Sequence, residues 1–256
     1  VKRALLSLLV LAACRDDHAP APPPPSPTPA PTGSGSAAPT PPPIDAADPE
    51  TLKEHMRRHF AAISELQRAI ARGHLDEAKE LASWIANHAE VPQQGWEKFL
   101  DELHTSAQQV ANAKDLPTAA SLAARLGRAC SNCHEARDAI VTFAWEPPPE
   151  EGPALPAQMK RHQWAAARLW DGLVGPSDQL WSEGAAVLAT TQLDTAQAAG
   201  SAGRGDVTAL AANIRALAGR AAKVEDHDAR AQLYGELLST CAGCHQLVRP
   251  KPVPGP

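Results

Sequence analysis

The sequence predicts an all-α protein of two tandem four-helix bundles, preceded by an export signal and a disordered proline-rich linker. Three observations lead there. Apolar residues recur at helical spacing, with almost no strand pattern. The second half of the chain repeats the first. A cluster of prolines separates the halves.

The repeat can be read directly. Met56-Arg57-Arg58-His59 matches Met159-Lys160-Arg161-His162, an offset of 103 that also pairs Leu66 with Leu169, Ile70 with Leu173 and Ile85 with Leu188. Further along the offset is 111, pairing Asp115 with Asp226, Leu122 with Leu233 and Leu126 with Leu237. The second half therefore carries 8 extra residues, expected as a longer loop in the Gly-rich stretch 199–206. The predicted bundles are 48–145 and 157–249, joined by a proline-rich linker at 146–156 and followed by a proline-rich tail at 250–256.

Within the first half, Asp48-Pro49 places a cap and a first-turn proline before a helix. Leu52, Met56, His59, Ile63, Leu66 and Ile70 then follow at spacings of three and four, one helical face, until Gly73 stops it. The second helix runs from Leu75 to His88. Pro92 and Gly95 interrupt, and Trp96, Phe99, Leu103 and Val110 define a third. Asp115 caps a fourth, which passes Leu122 and Leu126 into Cys130. Short connections make neighbouring helices antiparallel. Ala123, Ala124, Gly127 and Ala129 make the end of this helix small, either to admit a flat ring or simply as good helix formers.

The N-terminus is an address. Lys2 and Arg3 precede the short apolar run Leu5 to Ala13, giving a signal peptide over 1–13. Leu11-Ala12-Ala13-Cys14 resembles a bacterial lipobox, which implies cleavage before Cys14 and a lipid on its sulfur; ordinary cleavage near Ala13 would export the chain as well. Residues 14–47 are rich in proline, alanine, serine and threonine and cannot bury enough apolar surface to fold. Extended as polyproline II, such a stalk spans on the order of 90 Å. The expected location is a lipoprotein facing the periplasm. Arg15, where an inner-membrane retention signal would favour aspartate, makes the outer membrane the preferred side.

Two stretches carry the chemistry. Cys130-Ser131-Asn132-Cys133-His134 and Cys241-Ala242-Gly243-Cys244-His245 are both C-x-x-C-H, the attachment motif of c-type haem. Two thiols at this spacing reach the two vinyl groups of one porphyrin, and the histidine supplies an imidazole to the iron. A redox dithiol would want a βαβ setting, and a four-thiolate zinc site leaves the two histidines unexplained. Of the five cysteines only Cys14 lies outside the motifs, so no pair remains for a disulfide. Two covalent haems per chain are expected.

A four-helix bundle with C-x-x-C-H near the end of its fourth helix resembles the cytochrome c′ family and its low-spin relatives. The resemblance implies thioethers from Cys130 and Cys133 with His134 as proximal iron ligand, and from Cys241 and Cys244 with His245. It also implies that the distal side of each haem faces the first helix of its bundle. There the doublet M-x-x-H occurs twice. His59 and His162 lie on an apolar stripe, where a buried imidazole needs iron or a hydrogen-bond partner. They are the expected distal ligands; Met56 and Met159 are the alternative, and an open site the third arrangement. His18, His55, His74, His88, His104 and His227 have no repeat counterpart and are expected as surface or core residues. Arg58 and Arg161 reach haem propionates or lie on a solvated face. Trp84, Trp96 and Trp170 are expected in the core.

The expected function is electron transfer by a lipid-anchored di-haem cytochrome with redox-protein partners, a carrier rather than an enzyme. Gas binding is the alternative, and it needs an open or displaceable distal position. A peroxidase would want acid/base residues around a peroxide pocket, and none stands out. A net charge of -5 argues against nucleic acid as a partner. Cys14→Ser should move the protein from the membrane to the soluble exported fraction, or leave it unprocessed. Wild-type protein recovered soluble from the periplasm would contradict the anchor.

Overall fold

The computed structural model describes residues 49–248, apart from 92 and 200–202, and every regular element among them is a helix. The signal peptide, Cys14, His18, the 14–47 linker, Asp48 and the 250–256 tail lie outside the described residues, as do Pro92 and part of the Gly-rich stretch. The first half supplies α1 (Pro49–Ala71), α2 (Leu75–Asn87), α3 (Glu97–Ala111) and α4 (Leu116–Ala136). The second supplies α5 (Leu155–Val174), α6 (Asp178–Thr190), α7 (Thr195–Ala199), α8 (Arg204–Ala221) and α9 (His227–Val248).

Local chemistry sets the ends. Gly73 takes a positive φ of 79°, and bonds of 2.8 Å from its N–H to Ile70 O and from His74 N–H to Ala69 O close α1. Asp115 caps α4 by accepting from Thr118 N–H at 2.8 Å. Its repeat counterpart Asp226 does the same for α9, accepting from Ala229 N–H at 2.7 Å. The apolar repeat pairs Leu66/Leu169, Ile70/Leu173, Ile85/Leu188, Leu122/Leu233 and Leu126/Leu237 are all buried. Of the stretch expected to hold the extra residues, Ala199 ends α7 and 204–206 begin α8. The connection after α6 holds the short α7, and α8 (18 residues) outruns α3 (15 residues).

The halves share a core. α4 packs antiparallel along α9: Arg128 pairs with Asp228 at 2.7 Å and Glu135 with His227 at one end, and Gly235 rests on Ser121, Ala120 and Ala124. A Cβ on Gly127 would stand 2.9 Å from the indole of Trp170 on α5. The small residues of α4 at 120, 124 and 127 thus seat α9 and Trp170, where the sequence suggested room for a flat ring. Trp170 also lies 5.4 Å from the ring of Tyr234, whose hydroxyl donates to Ala166 O at 3.2 Å. α1 and α5 each touch both α4 and α9.

The segment between the halves is tied down. Phe143 meets Phe60 of α1 with ring centroids 5.2 Å apart. Arg161 donates to Pro149 O at 2.7 Å and Arg168 to Ala144 O at 3.2 Å. All described residues fall in one compact unit. Trp170→Ala should cost about 3–5 kcal/mol as a buried aromatic deletion. It should shift a single denaturant transition in which both halves unfold together. Two transitions, only one of them moved, would mean that the halves fold independently.

Candidate functional site

Both C-x-x-C-H motifs lie inside long helices, α4 and α9. Positions i, i+3 and i+4 of a helix share a face, so Cys130, Cys133 and His134 point the same way, as do Cys241, Cys244 and His245. All four cysteines are free. Burial, then the neighbouring Cys133, pushes the Cys130 thiol up to about 12, and burial, then Cys244, does the same at Cys241. These are neutral thiols, unlike the acidic thiolate of a redox dithiol.

Each motif histidine is held by the opposite half. His134 Nδ1 lies 2.9 Å from Val174 O, and His245 Nδ1 lies 2.6 Å from Ala71 O. A carbonyl only accepts, so both Nδ1 atoms carry a proton and donate it. In the neutral ring the lone pair is then on Nε2. Val174 and Ala71 are the last residues of α5 and α1, where helix carbonyls lack intrahelical partners. They are also repeat counterparts, 103 residues apart, so the two bonds form a reciprocal pair. The acceptors are backbone atoms, and no side-chain pattern in the sequence marks them.

His59 and His162 are buried at 7 % exposure, while Met56 and Met159 are only half-buried. His162 is lowered to about 4 by burial first and then by the charge of His245, which places the two imidazoles of the second half within electrostatic reach. His59 is also lowered to about 4, by burial first; Glu90 pulls it up, and His55, His88 and His104 push it down. His59 Nε2 and His162 Nδ1 are buried without a hydrogen-bond partner. Both rings stay neutral at pH 7, the form that ligates a metal.

Around His59 the structure gathers residues that the sequence left as ordinary surface or core. His55 sits one turn earlier on α1, buried at 1 % exposure, and donates through Nε2 to Glu90 at 2.7 Å. His104 on α3 meets the same carboxylate through Nε2 at 3.0 Å. His88 caps the end of α2. The His55, His59 and His88 rings lie 4.4–5.3 Å apart, centroid to centroid. Burial raises the Glu90 carboxyl, but hydrogen bonds from His55 and His104 and the charge of His59 outweigh it and hold Glu90 low. In the second half the counterparts of His55, His88 and Glu90 are Gln158, Thr191 and Leu193.

Other expectations change. Trp84 is 40 % exposed rather than core, and stacks on His88 at 4.2 Å. Arg58 is exposed, whereas Arg161 is taken up by Pro149 O and by Glu151 at 3.3 Å, so the matched arginines do unlike work. Set against protein-family models, curated proteins and solved structures, the chain matches none.

The buried imidazoles set a pH dependence. Both have folded values below the ordinary 6.5, so between about 4 and 6.5 the unfolded chain binds more protons, and stability falls as pH drops through that window. Asp171, raised to about 6 by burial against the pull of Arg168, acts oppositely between its ordinary 3.8 and about 6. His88 and His134 are lowered by burial as well, so four imidazoles against one carboxyl leave a net loss on acidification. The urea midpoint of the cofactor-free chain should therefore fall between pH 6.5 and 5. His162→Gln should make that slope shallower. A midpoint that rises on acidification would contradict the burial of both rings.

Proposed function

We propose that this chain is a lipid-anchored di-haem c-type cytochrome carrying electrons in the periplasm, built as two cytochrome c′-like four-helix halves that share the α4–α9 face. The observation that carries the reading is the state of the two motif histidines. Each lies one residue beyond a pair of free thiols on the same helix face, with Nδ1–H committed to a carbonyl and Nε2 free to ligate. A metal-ligating histidine ordinarily donates its other N–H to such an acceptor, which sets tautomer and ring orientation. The donor set therefore fits haem at both motifs: Cys130, Cys133 and His134 at one, Cys241, Cys244 and His245 at the other. Haem, when bound, supplies one-electron redox chemistry at its iron.

In this reading His162 would help hold the second haem's iron, together with His245. It is the buried, unpartnered member of its doublet, and His245 acts on it electrostatically. A second protein ligand suits outer-sphere transfer better than gas capture, because the iron keeps its ligands as it changes oxidation state. His59 is its sequence counterpart in the first half, where other imidazoles and Glu90 surround it. The antiparallel α4–α9 pair places the two motifs toward opposite ends of one helix pair, on the order of 20 Å apart by helix rise. No helix among the described residues is long and apolar enough to cross a membrane, and the proposed membrane attachment is the lipid on Cys14.

Protein made with a c-type maturation system should carry two haems by intact mass. His162→Ala should turn the second haem high-spin and open it to carbon monoxide. A single haem, or stoichiometric zinc at the cysteines in place of haem, would overturn the proposal. A wild-type protein whose second haem already binds carbon monoxide would favour gas binding.

A further inference from the structure

The first half holds more ligating groups than a haem requires. One buried imidazole, His162, occupies the corresponding place in the second half, where the counterparts of His55, His88 and Glu90 are Gln158, Thr191 and Leu193. In the first half the equivalent His59 has His55, His88 and Glu90 instead. Axial ligation explains neither the extra imidazoles nor the carboxylate.

The geometry is that of a metal site. One ligand nitrogen from each of His55, His59 and His88 lies within 4.8 Å of the others. Nitrogens around a tetrahedral zinc, with bonds of about 2.0–2.1 Å, stand about 3.3 Å apart. Binding draws the three nitrogens together to that spacing. His55 and His59 are one turn apart on α1, and His88 approaches from the end of α2, so two rigid elements hold the three rings. His55 Nε2–H donates to Glu90, leaving Nδ1 with the lone pair of the neutral ring, the carboxylate–histidine–metal pattern. His59 Nε2 stands 3.5 Å from Glu90 Oε1 but makes no hydrogen bond. Glu90 brings negative charge to a buried pocket of imidazoles. The exposed Arg58 opposes a cation near His88, and Glu90 acts on the same ring in the other sense. His88 is only half-buried, which gives an ion a path in from solvent.

We infer that His55, His59 and His88 bind a divalent transition-metal ion of the zinc class, with Glu90 as the carboxylate that orients His55 and balances the charge. Three imidazoles select zinc, copper or nickel over magnesium and calcium. The ion takes His59 from the first haem, so the two haem sites are unlike. The second half, with a single imidazole, keeps the axial role proposed above.

The test uses the purified full-length chain dialysed against zinc chloride, with metal counted by mass spectrometry. It should hold one zinc per chain, bound through about three imidazole nitrogens by X-ray absorption at the zinc edge. His55→Gln and His88→Gln should each weaken zinc binding by at least about tenfold, and Glu90→Gln by about 10–100-fold. His74→Gln should leave it unchanged, since His74 pairs with Glu77 away from the cluster. Circular dichroism identifies any variant that fails to fold, and the zinc-edge spectrum of the wild type decides the matter without variants. No bound zinc, sulfur neighbours in place of nitrogen, or full affinity in both folded glutamine variants would overturn the inference. Intact mass counts the haems separately, so failure of the haem reading and failure of this site are distinguishable.

Discussion

Two hydrogen bonds, from His134 to Val174 O and from His245 to Ala71 O, are the constraint on which the arrangement depends. Each uses a carbonyl that the end of a helix leaves without a partner, so satisfying the backbone and aiming the imidazole are one event. Each also crosses between the halves. Neither motif histidine is oriented by its own half, and the first helix of each half serves the other. The packing follows. α4 and α9 lie together where Gly235 permits their close approach, and Gly127 admits Trp170 of α5 on another face of α4.

The repeat sets the symmetry, and the first half departs from it. Where the residues are apolar, the halves match pair by pair in the core. Where they are polar, they diverge. The second half buries one imidazole, His162, lowered by burial first and then by the charge of His245. The first buries His55 and His59 beside Glu90, with His88 and His104 at the edge. Burying such a cluster costs free energy unless its members are paired or metal-bound. That cost falls on one half alone, which marks the difference as chemical rather than a feature of the bundle.

Much of the fold was legible in the sequence, because helical spacing and the repeat report the same faces. Leu66, Ile70, Leu122 and Leu126 were identifiable as core by period, and Asp115 as a cap by its place before an apolar run. The motif cysteines and histidines were legible because their spacing is the chemistry. The acceptors at Val174 and Ala71 were not, because a backbone carbonyl has no signature of its own. Nor was the cluster around His59: His88 and Glu90 lie in an irregular stretch outside any period, and only the fold brings them to α1. Histidines without repeat counterparts are visible in the sequence, but nothing there separates those that cluster from ordinary surface or core residues. Among the small residues of α4, Gly127 takes Trp170 and Ala124 takes Gly235, and nothing local in the sequence distinguishes room for a ring from room for these neighbours.

In the proposed reading the chain is an electron carrier with two sites, and the sites differ through the residues of the first half. Electron paramagnetic resonance of the oxidised full-length protein tests that description most directly. The account predicts two haem signals of unequal ligation: a low-spin bis-imidazole signal from the second half, and a first-half signal that lacks a second imidazole. Two matching bis-imidazole signals would contradict the difference between the halves, and no haem signal at all would contradict the account as a whole.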